Sequence, residues 1–274
     1  MRGTRSLVVL GVVAATLTGT YVLDAAPKKK TASLAPAPVK TNSKLVTPKV
    51  VGSAPKGCPA GMAPIPNASG GYCIDKYEAG VVEVLPGGKT KSHSPYTPVA
   101  GLKVKAIVKK GIVPQGYISQ VEAKAACEEA GKRLCTPDEW LNACQGKNPT
   151  KYPYGDDEVA GRCNGDGTRQ HPVVELFGPG PDAFADPNKM NDPRINALPK
   201  TLSKTGALAK CKNGWGVHDM VGNLHEWTGD GAGTSHFQGG YYMDTHKNGD
   251  GCFYKTTAHG PSYHDYSTGF RCCK

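Results

Sequence analysis

The chain has 274 residues, a formal net charge of +10, 38% hydrophobic residues and 7% aromatic residues. Its 35 glycines and 22 prolines exclude a helical bundle or a coiled coil, because both tolerate few helix breakers. Their combined share, 57 of 274 residues, stays below the ~25–30% that is typical of unstructured low-complexity chains. We therefore expect a single domain that is rich in loops and has a sizeable core.

The positive charge is concentrated in residues 1–56. This segment holds nine basic side chains and one acidic side chain, whereas the remaining 218 residues hold 24 basic and 22 acidic ones. A nucleic-acid-binding domain carries its basic patch on the folded part, so we expect no nucleic-acid partner. The basic segment is better suited to an anionic membrane or cell-wall surface, and it predicts a tether through residues 1–56.

Residues 1–26 have the pattern of an export signal. Arg2 and Arg5 precede an uncharged run from Ser6 to Leu23, as in a signal peptide. The length of the run leaves a retained N-terminal membrane anchor as the alternative. Both readings predict an exported protein that is periplasmic, in the cell envelope or extracellular. Residues 27–56 are rich in proline and lysine and predict a disordered linker, with a strand at 45–51 as the alternative. The folded domain is expected over 57–274.

All ten cysteines lie at or after Cys58. An even number behind an export signal predicts a disulfide framework. No C-x-x-C pair occurs, which disfavours a structural zinc site or a thioredoxin-like site. The adjacent Cys272 and Cys273 do not readily bridge to each other, so each is expected to have a distant partner. The residues themselves leave the connectivity open.

Two helices are predicted from capping boxes. Ser119 and Glu122 begin the first, which ends at Gly131, and Thr136 begins the second, which ends at Gly146. The first helix is expected to turn three side chains toward the core, namely Val121, Ala125 and Cys127. Short strands are predicted at 72–78, 83–85 and 240–243, and loops at 164–180 and 230–240.

Six segments, taken in order, resemble the formylglycine-generating enzyme, or sulfatase-modifying factor, family. They are 72–79, 127–140, 152–156, 216–228, 239–240 and 269–272. The resemblance covers about residues 57–274. It implies a single α+β domain of the C-type-lectin-like type, with little regular secondary structure and stapled by disulfides.

The resemblance also locates the catalytic position of the family. Its oxidase members bind copper through two cysteines and convert a substrate cysteine to formylglycine with oxygen, since copper(I) prefers thiolate ligands. The position of the first cysteine is Asp244 in this chain, and the second falls near 247–249. The nearby Cys252 resembles a structural cysteine of the family. Both copper ligands are therefore missing, and we expect neither copper nor formylglycine-generating activity.

The resemblance implies the disulfides Cys127–Cys272 and Cys144–Cys252. Cys135 and Cys273 both depart from the family pattern, and we pair them with each other for that reason. Elimination then leaves Cys58–Cys73 and Cys163–Cys211.

The resemblance further implies calcium, which takes six to eight oxygen ligands. The first candidate site consists of Asp219, Gly222, Leu224 and Glu226, with a turn in which the acids cap backbone amides as the alternative. The second consists of Asn164, Gly165, Asp182 and Phe184. An alternative transition-metal centre or cleft, of the kind that holds non-haem iron, would use Asp244, His246, His259 and His264. The alternative for these histidines is hydrogen bonding to the backbone from loops, on which His225, His236, His246 and His259 are expected.

Three functions remain open. The first is an exported calcium-binding module without formylglycine-generating activity, which recognises an unknown protein or glycan. Its recognition cleft would be lined by aromatic side chains, namely Tyr152, Tyr154, Trp215, Trp227, Phe237, Tyr241 and Tyr242. The second is a metal-dependent oxidase of the family with different ligands. The third is a structural spacer of the envelope.

Overall fold

The computed structural model of the chain describes residues 52–229 and 235–274, all of which fall in one compact unit. The α+β, loop-rich class predicted from the sequence is confirmed: short strands and helices are joined by long irregular segments. The strands are β1 Met62–Ile65, β2 Tyr72–Asp75, β3 Gly80–Val84, β4 Thr90–Ser92, β5 Val104–Ile107, β6 Arg133–Leu134, β7 His225–Thr228, β8 His236–Gln238, β9 Lys255–Thr256, β10 Thr268–Phe270 and β11 Cys272–Cys273. The helices are α1 Gln120–Glu129, α2 Pro137–Gln145, α3 Pro172–Phe177, α4 Pro181–Ala185, α5 Pro187–Met190 and α6 Arg194–Ala197. Single 3-10 turns lie at Pro86–Gly88 and Gly251–Phe253.

The strands form three small sheets. The first is antiparallel with the order β1-β2-β11-β6, and the third has the order β4-β3-β5. The second has the order β10-β7-β8-β9, in which β10 pairs with β7 in parallel and the other pairs are antiparallel. Trp140 of α2 and Trp227 of β7 are both almost fully buried. The candidate site residues lie on β7 and the loop before it, on the loops that follow β8 and β9, on α4 and on the loop before α3.

Both capping boxes are present. Ser119 and Thr136 each accept a hydrogen bond from the backbone of the residue three positions on, and Glu122 and Glu139 bond back to the cap. The two helices therefore begin where the sequence predicts. Among the described residues, none of the helices is both long enough and apolar enough to span a lipid bilayer.

The buried face of α1 differs from the prediction. Ala123, Ala126 and Cys127 are buried, whereas Val121 and Ala125 are exposed. The prediction for Val121 and Ala125 was wrong because small alanines pack against β5 and β6, while the larger Val121 lies on the opposite side of the helix.

Several predicted strand and loop segments also differ. The segment 240–243 is not a strand but a tight turn, because Gly239 and Gly240 have positive φ values that bend the chain away from β8. The loop predicted at 164–180 contains α3, and the loop at 230–240 contains β8; its residues 230–234 lie outside the described part. Ser53, in the segment expected to be a linker, pairs with Asn67. The predicted segment 1–26, the strand at 45–51 and the linker up to residue 51 lie outside the described residues.

Five disulfides join all ten cysteines. They are Cys58–Cys73, Cys127–Cys272, Cys135–Cys273, Cys144–Cys252 and Cys163–Cys211, the pairs assigned in the sequence analysis. Three of them join residues more than 100 positions apart. Bridges that close such long loops restrict the unfolded chain most, which suits a domain with so little regular structure.

Gly222 and Gly131 provide a matched pair of substitutions. Both have positive φ, but a β-carbon at Gly222 would lie 2.2 Å from the carbonyl oxygen of Asn164, whereas one at Gly131 would meet nothing within 4 Å. We expect Gly131→Ala to lower the free energy of unfolding by about 1 kcal/mol and Gly222→Ala by more than about 3 kcal/mol. Denaturant unfolding measures both; equal losses would contradict the packing described here.

Candidate functional site

Asp244, the expected catalytic position, lies in the tight turn after β8. Its backbone N–H donates to the carbonyl of Tyr241 at 3.0 Å, and the Tyr241 N–H donates back at 2.9 Å. One carboxylate oxygen accepts from the backbone N–H groups of His246 and Lys247 at 3.0 and 3.1 Å. The other accepts from the hydroxyl of Tyr254 at 3.0 Å. The carboxylate therefore stabilises its own turn and anchors Tyr254.

Tyr254 connects Asp244 to a buried histidine. The Nε2 atom of His225 on β7 lies 3.2 Å from the Tyr254 hydroxyl, and its Nδ1 atom lies 3.1 Å from the Ser267 hydroxyl. Ser267 donates to Asp265 at 2.7 Å. These side chains form a line of polar contacts from the half-buried Asp244 to the buried Asp265, and we call it the His225 network. The Tyr254 hydroxyl has one proton, so it donates either to Asp244 or to the Nε2 atom of a neutral His225.

Burial sets the protonation of this network. It lowers the pKa of His225 to about 3, although the negative charge of Asp244 opposes the shift. Burial also raises the pKa of Asp265, while hydrogen bonds from Tyr263 and Ser267 oppose this shift. His225 is therefore neutral at pH 7.

The expectation that His225 and His236 lie on loops was wrong, since they lie on β7 and β8. Because β7 has only four residues, the sequence shows no periodic pattern there.

The four residues of the alternative metal site do not converge. The ring nitrogens of His246 lie 3.1 Å from Asp250 and 3.1 Å from Glu158, and the ring of His259 stacks on Tyr263 with centroids 3.8 Å apart. His264 bonds to Asn191 at 2.7 Å. Within residues 52–229 and 235–274, no group of three or more histidine, cysteine, aspartate or glutamate side chains is arranged to hold a metal.

Glu226, a candidate calcium ligand, is paired with Arg271. Both side chains are buried, and the guanidinium approaches both carboxylate oxygens at 2.6 Å. The indole N–H of Trp140 donates to one of these oxygens at 2.6 Å. Three hydrogen bonds thus occupy the Glu226 carboxylate. The positive charge of the guanidinium beside it would repel a divalent cation.

Two further buried carboxylates lie near this pair. Asp219 accepts from the backbone N–H of Gly206 at 2.6 Å, and burial raises its pKa to about 6. Glu78, which the sequence analysis did not single out, accepts from Asn223 at 2.6 Å and from the Leu224 N–H at 3.1 Å. Burial, reinforced by the charges of Asp219 and Glu226, raises the pKa of Glu78 well above its ordinary value. Because their pKa values are raised, these two carboxyl groups take up protons more readily, which reduces the negative charge buried beside Glu226.

The two calcium sets differ from what the ion requires. Calcium needs six or more converging oxygens, and in the first set the Glu226 carboxylate is committed to Arg271 and Trp140. In the second set, the Asn164 amide donates to the Thr201 carbonyl at 2.8 Å and to Asn223 at 2.9 Å. Asp182 and Phe184 lie on α4, where Phe184 is 41% exposed. The structure thus commits the Glu226 carboxylate of the first set and the Asn164 amide nitrogen of the second set to hydrogen bonds within the protein.

The aromatic side chains expected to line a cleft are mostly in the core. Tyr152, Trp227, Phe237 and Tyr242 are each 4% exposed or less, so they are not available for a ligand. Only Tyr154, Trp215 and Tyr241 of that set are partly exposed.

A comparison with protein families shows to which family the chain belongs. The sequence model of the sulfatase-modifying factor enzyme 1-like domain matches residues 89–274. The chain belongs to this family. The membership expected from the sequence is thereby confirmed, and it covers the segment that carries α1, α2, β7 and the turn at Asp244. None of the curated proteins matches the chain.

The solved structures to which the chain is similar are distant from it. The crystal structure of CarF is 16% identical, with a TM-score of 0.40, and the match covers 75% of this chain and 86% of that one. The I1 variant of the Major Tropism Determinant is 14% identical with a TM-score of 0.41, covering 82% of this chain and 54% of that one. The U1 variant is 14% identical with a TM-score of 0.40, covering 81% and 54%. This chain thus matches about half the length of the tropism determinants.

The pKa of His225 leads to a pH prediction. The unfolded chain binds a proton at His225 near pH 6.5, whereas the folded chain resists protonation down to about pH 3. Stability from the neutral ring is therefore present above pH 6.5 and is lost as the pH falls. We expect His225→Gln to reduce the pH slope of the free energy of unfolding below pH 6.5, by up to about 1.4 kcal/mol per pH unit.

His246 is the control, measured by denaturant unfolding across the same pH range. Hydrogen bonding to Asp250 raises its pKa, so its contribution is present at low pH and is lost as the pH rises. Below pH 6.5 the His246 ring is protonated in both states, so His246→Gln should leave the slope there nearly unchanged and should change it in the opposite direction only above pH 6.5. Identical pH profiles for the wild type and His225→Gln would contradict a neutral buried His225.

Proposed function

We propose that this protein is an exported member of the sulfatase-modifying factor family that acts as a binding module and lacks formylglycine-generating activity. The pairing of all ten cysteines in five disulfides carries this proposal. A copper(I) oxidase of this family needs free thiolates as ligands. Here the nearest cysteine to Asp244 in sequence, Cys252, is 1% exposed and bonded to Cys144.

The disulfides also support export. Five disulfides in one domain persist in an oxidising compartment, such as the periplasm or the extracellular space, and are rare in a reducing cytosol. The arginine-flanked apolar run at residues 6–23 is consistent with this route. The compartment beyond the membrane, and a tether through residues 1–56, belong to the same proposal.

Calcium is not part of this proposal, because the Glu226 carboxylate is engaged by Arg271 and Trp140. A ligand that binds only the folded state raises the midpoint of thermal unfolding. We therefore expect the same midpoint with excess calcium and with EGTA, and no calorimetric heat of calcium binding. A midpoint raised by calcium in the wild type, but not in Asp219→Ala, would restore the calcium site.

The proposed lack of oxidase activity is tested with thiol labelling and an aldehyde assay. Alkylation of the native, unreduced protein should label no cysteine, and alkylation after reduction and denaturation should label all ten. With copper, oxygen and a peptide that contains a substrate cysteine, we expect no product that reacts with an aldehyde probe. An active enzyme of the family serves as the positive control.

A variant with a thiol at position 244 tests why the protein is expected to be inactive. Asp244→Cys restores a thiol at the first catalytic position, but we expect it to remain inactive because the second ligand is still absent. Aldehyde formation by the wild type, abolished in the double variant Cys144→Ser/Cys252→Ser, would overturn the proposal and assign an oxidase.

A further inference from the structure

An apolar groove of about 670 Å³ lies between α1 and the residues that lead into β5. Val121 and Leu102 line it and are 54% and 44% exposed. The Val84 N–H donates to the carbonyl of Lys103 at 2.8 Å, one position beyond the last paired residues of β3 and β5, and Leu85 and Leu102 are the next residues of these two segments. Leu85 is 38% exposed, so three of the six large exposed apolar side chains in the described residues are at this end of the domain.

Helix α1 carries apolar residues on two faces. Ala123, Ala126 and Cys127 face the core, whereas Val121 and Ala125 face the groove. The apolar residues on this second face explain why the sequence predicts the wrong buried face for α1. Exposed apolar side chains that share one groove with charged residues are typical of a protein–protein contact.

The rim of the groove is acidic. Its lining holds three glutamates, Glu122, Glu128 and Glu129, against one lysine, Lys103. Glu129 pairs with Lys103 at 2.9 Å, and Glu128 pairs with Lys124. These pairs are exposed and contribute little to stability, so cations from a partner can share the carboxylates without unfolding the helix. With Lys124 included, three carboxylates stand beside two ammonium groups, so the rim carries a small negative charge.

We propose that this groove binds a segment of a partner polypeptide that carries basic side chains beside apolar ones. This inference rests on the binding role proposed above and assigns its surface and partner class. Val121, Leu102 and Leu85 would contact the apolar side chains, and Glu128 and Glu129 the lysines or arginines. The half-exposed lining favours a polypeptide over a small molecule, because small-molecule pockets enclose most of their ligand.

The test is a selection from a phage-displayed library of random short peptides against the immobilised full-length chain. We expect the enriched peptides to combine lysine or arginine with leucine, isoleucine, valine or aromatic residues. Affinities of the enriched peptides are then measured by fluorescence anisotropy. Val121→Ser and Leu102→Ser should each weaken binding by at least about tenfold, and Glu128→Gln/Glu129→Gln should weaken it and reduce its salt dependence.

Val159→Ser is the matched control, because Val159 is 45% exposed and lies outside the groove. It should leave peptide binding unchanged, and all variants should keep the unfolding midpoint of the wild type. The inference is overturned if no peptides are enriched, if enriched peptides are acidic, or if Val121→Ser binds them as well as the wild type does. A dimer in sedimentation experiments that Val121→Ser dissolves would assign the groove to a second copy and also overturn it.

The two proposals fail separately. Aldehyde formation in the oxidase assay would refute the proposed function whether or not peptides bind the groove. Failure of the peptide selection with an inactive protein would refute only the groove assignment and would favour the spacer role.

Discussion

The ion pair between Arg271 and Glu226 is the interaction on which the rest of this domain depends. Arg271 is fully buried. Besides both oxygens of Glu226, it donates to the backbone carbonyl of Asp75 at 3.0 Å and of His218 at 2.9 Å. One guanidinium therefore joins β2, β7 and the loop that precedes β7. A buried ion pair repays its desolvation only when its remaining hydrogen bonds are satisfied, and here the indole of Trp140 completes the set. Loss of one partner would leave an unpaired charge in a core that already holds Glu78 and Asp219.

This arrangement explains how so much irregular chain keeps one conformation. The sheets are small, and hydrophobic residues make up 38% of the chain. The ion pair and these disulfides both lie inside the domain, where the fully buried Cys127 and Cys135 are joined to the adjacent Cys272 and Cys273. Because successive side chains of a strand point to opposite faces, the two cysteines of β11 attach to different elements on the two sides of their sheet. Buried polar side chains, such as those of the His225 network, therefore have hydrogen-bond partners at fixed positions.

The sequence predicts this structure best where local chemistry decides it. The capping boxes at Ser119 and Thr136 specify where α1 and α2 begin, and family membership follows from short segments in a fixed order. Tertiary packing decides the rest. The spacing of Val121 is typical of a core residue, yet Ala123 and Ala126 are buried instead. Both sets of residues have helical spacing on this short helix, so the sequence does not tell which set faces the core. His225 and Glu78 gain their roles from partners far away in the chain, such as Ser267 and Asn223, and no local pattern announces a contact at that separation.

The spacing of the disulfides has a consequence for how the protein is made. Cys127, Cys135 and Cys144 are bonded to cysteines that lie 145, 138 and 108 residues further along the chain. Synthesis proceeds from the N-terminus, so these three thiols emerge well before their partners exist. They are close enough in sequence to form premature bridges with one another, and thiol–disulfide exchange is then needed to correct them. Production in an oxidising compartment should therefore depend on a disulfide isomerase, and an oxidant alone should trap scrambled chains.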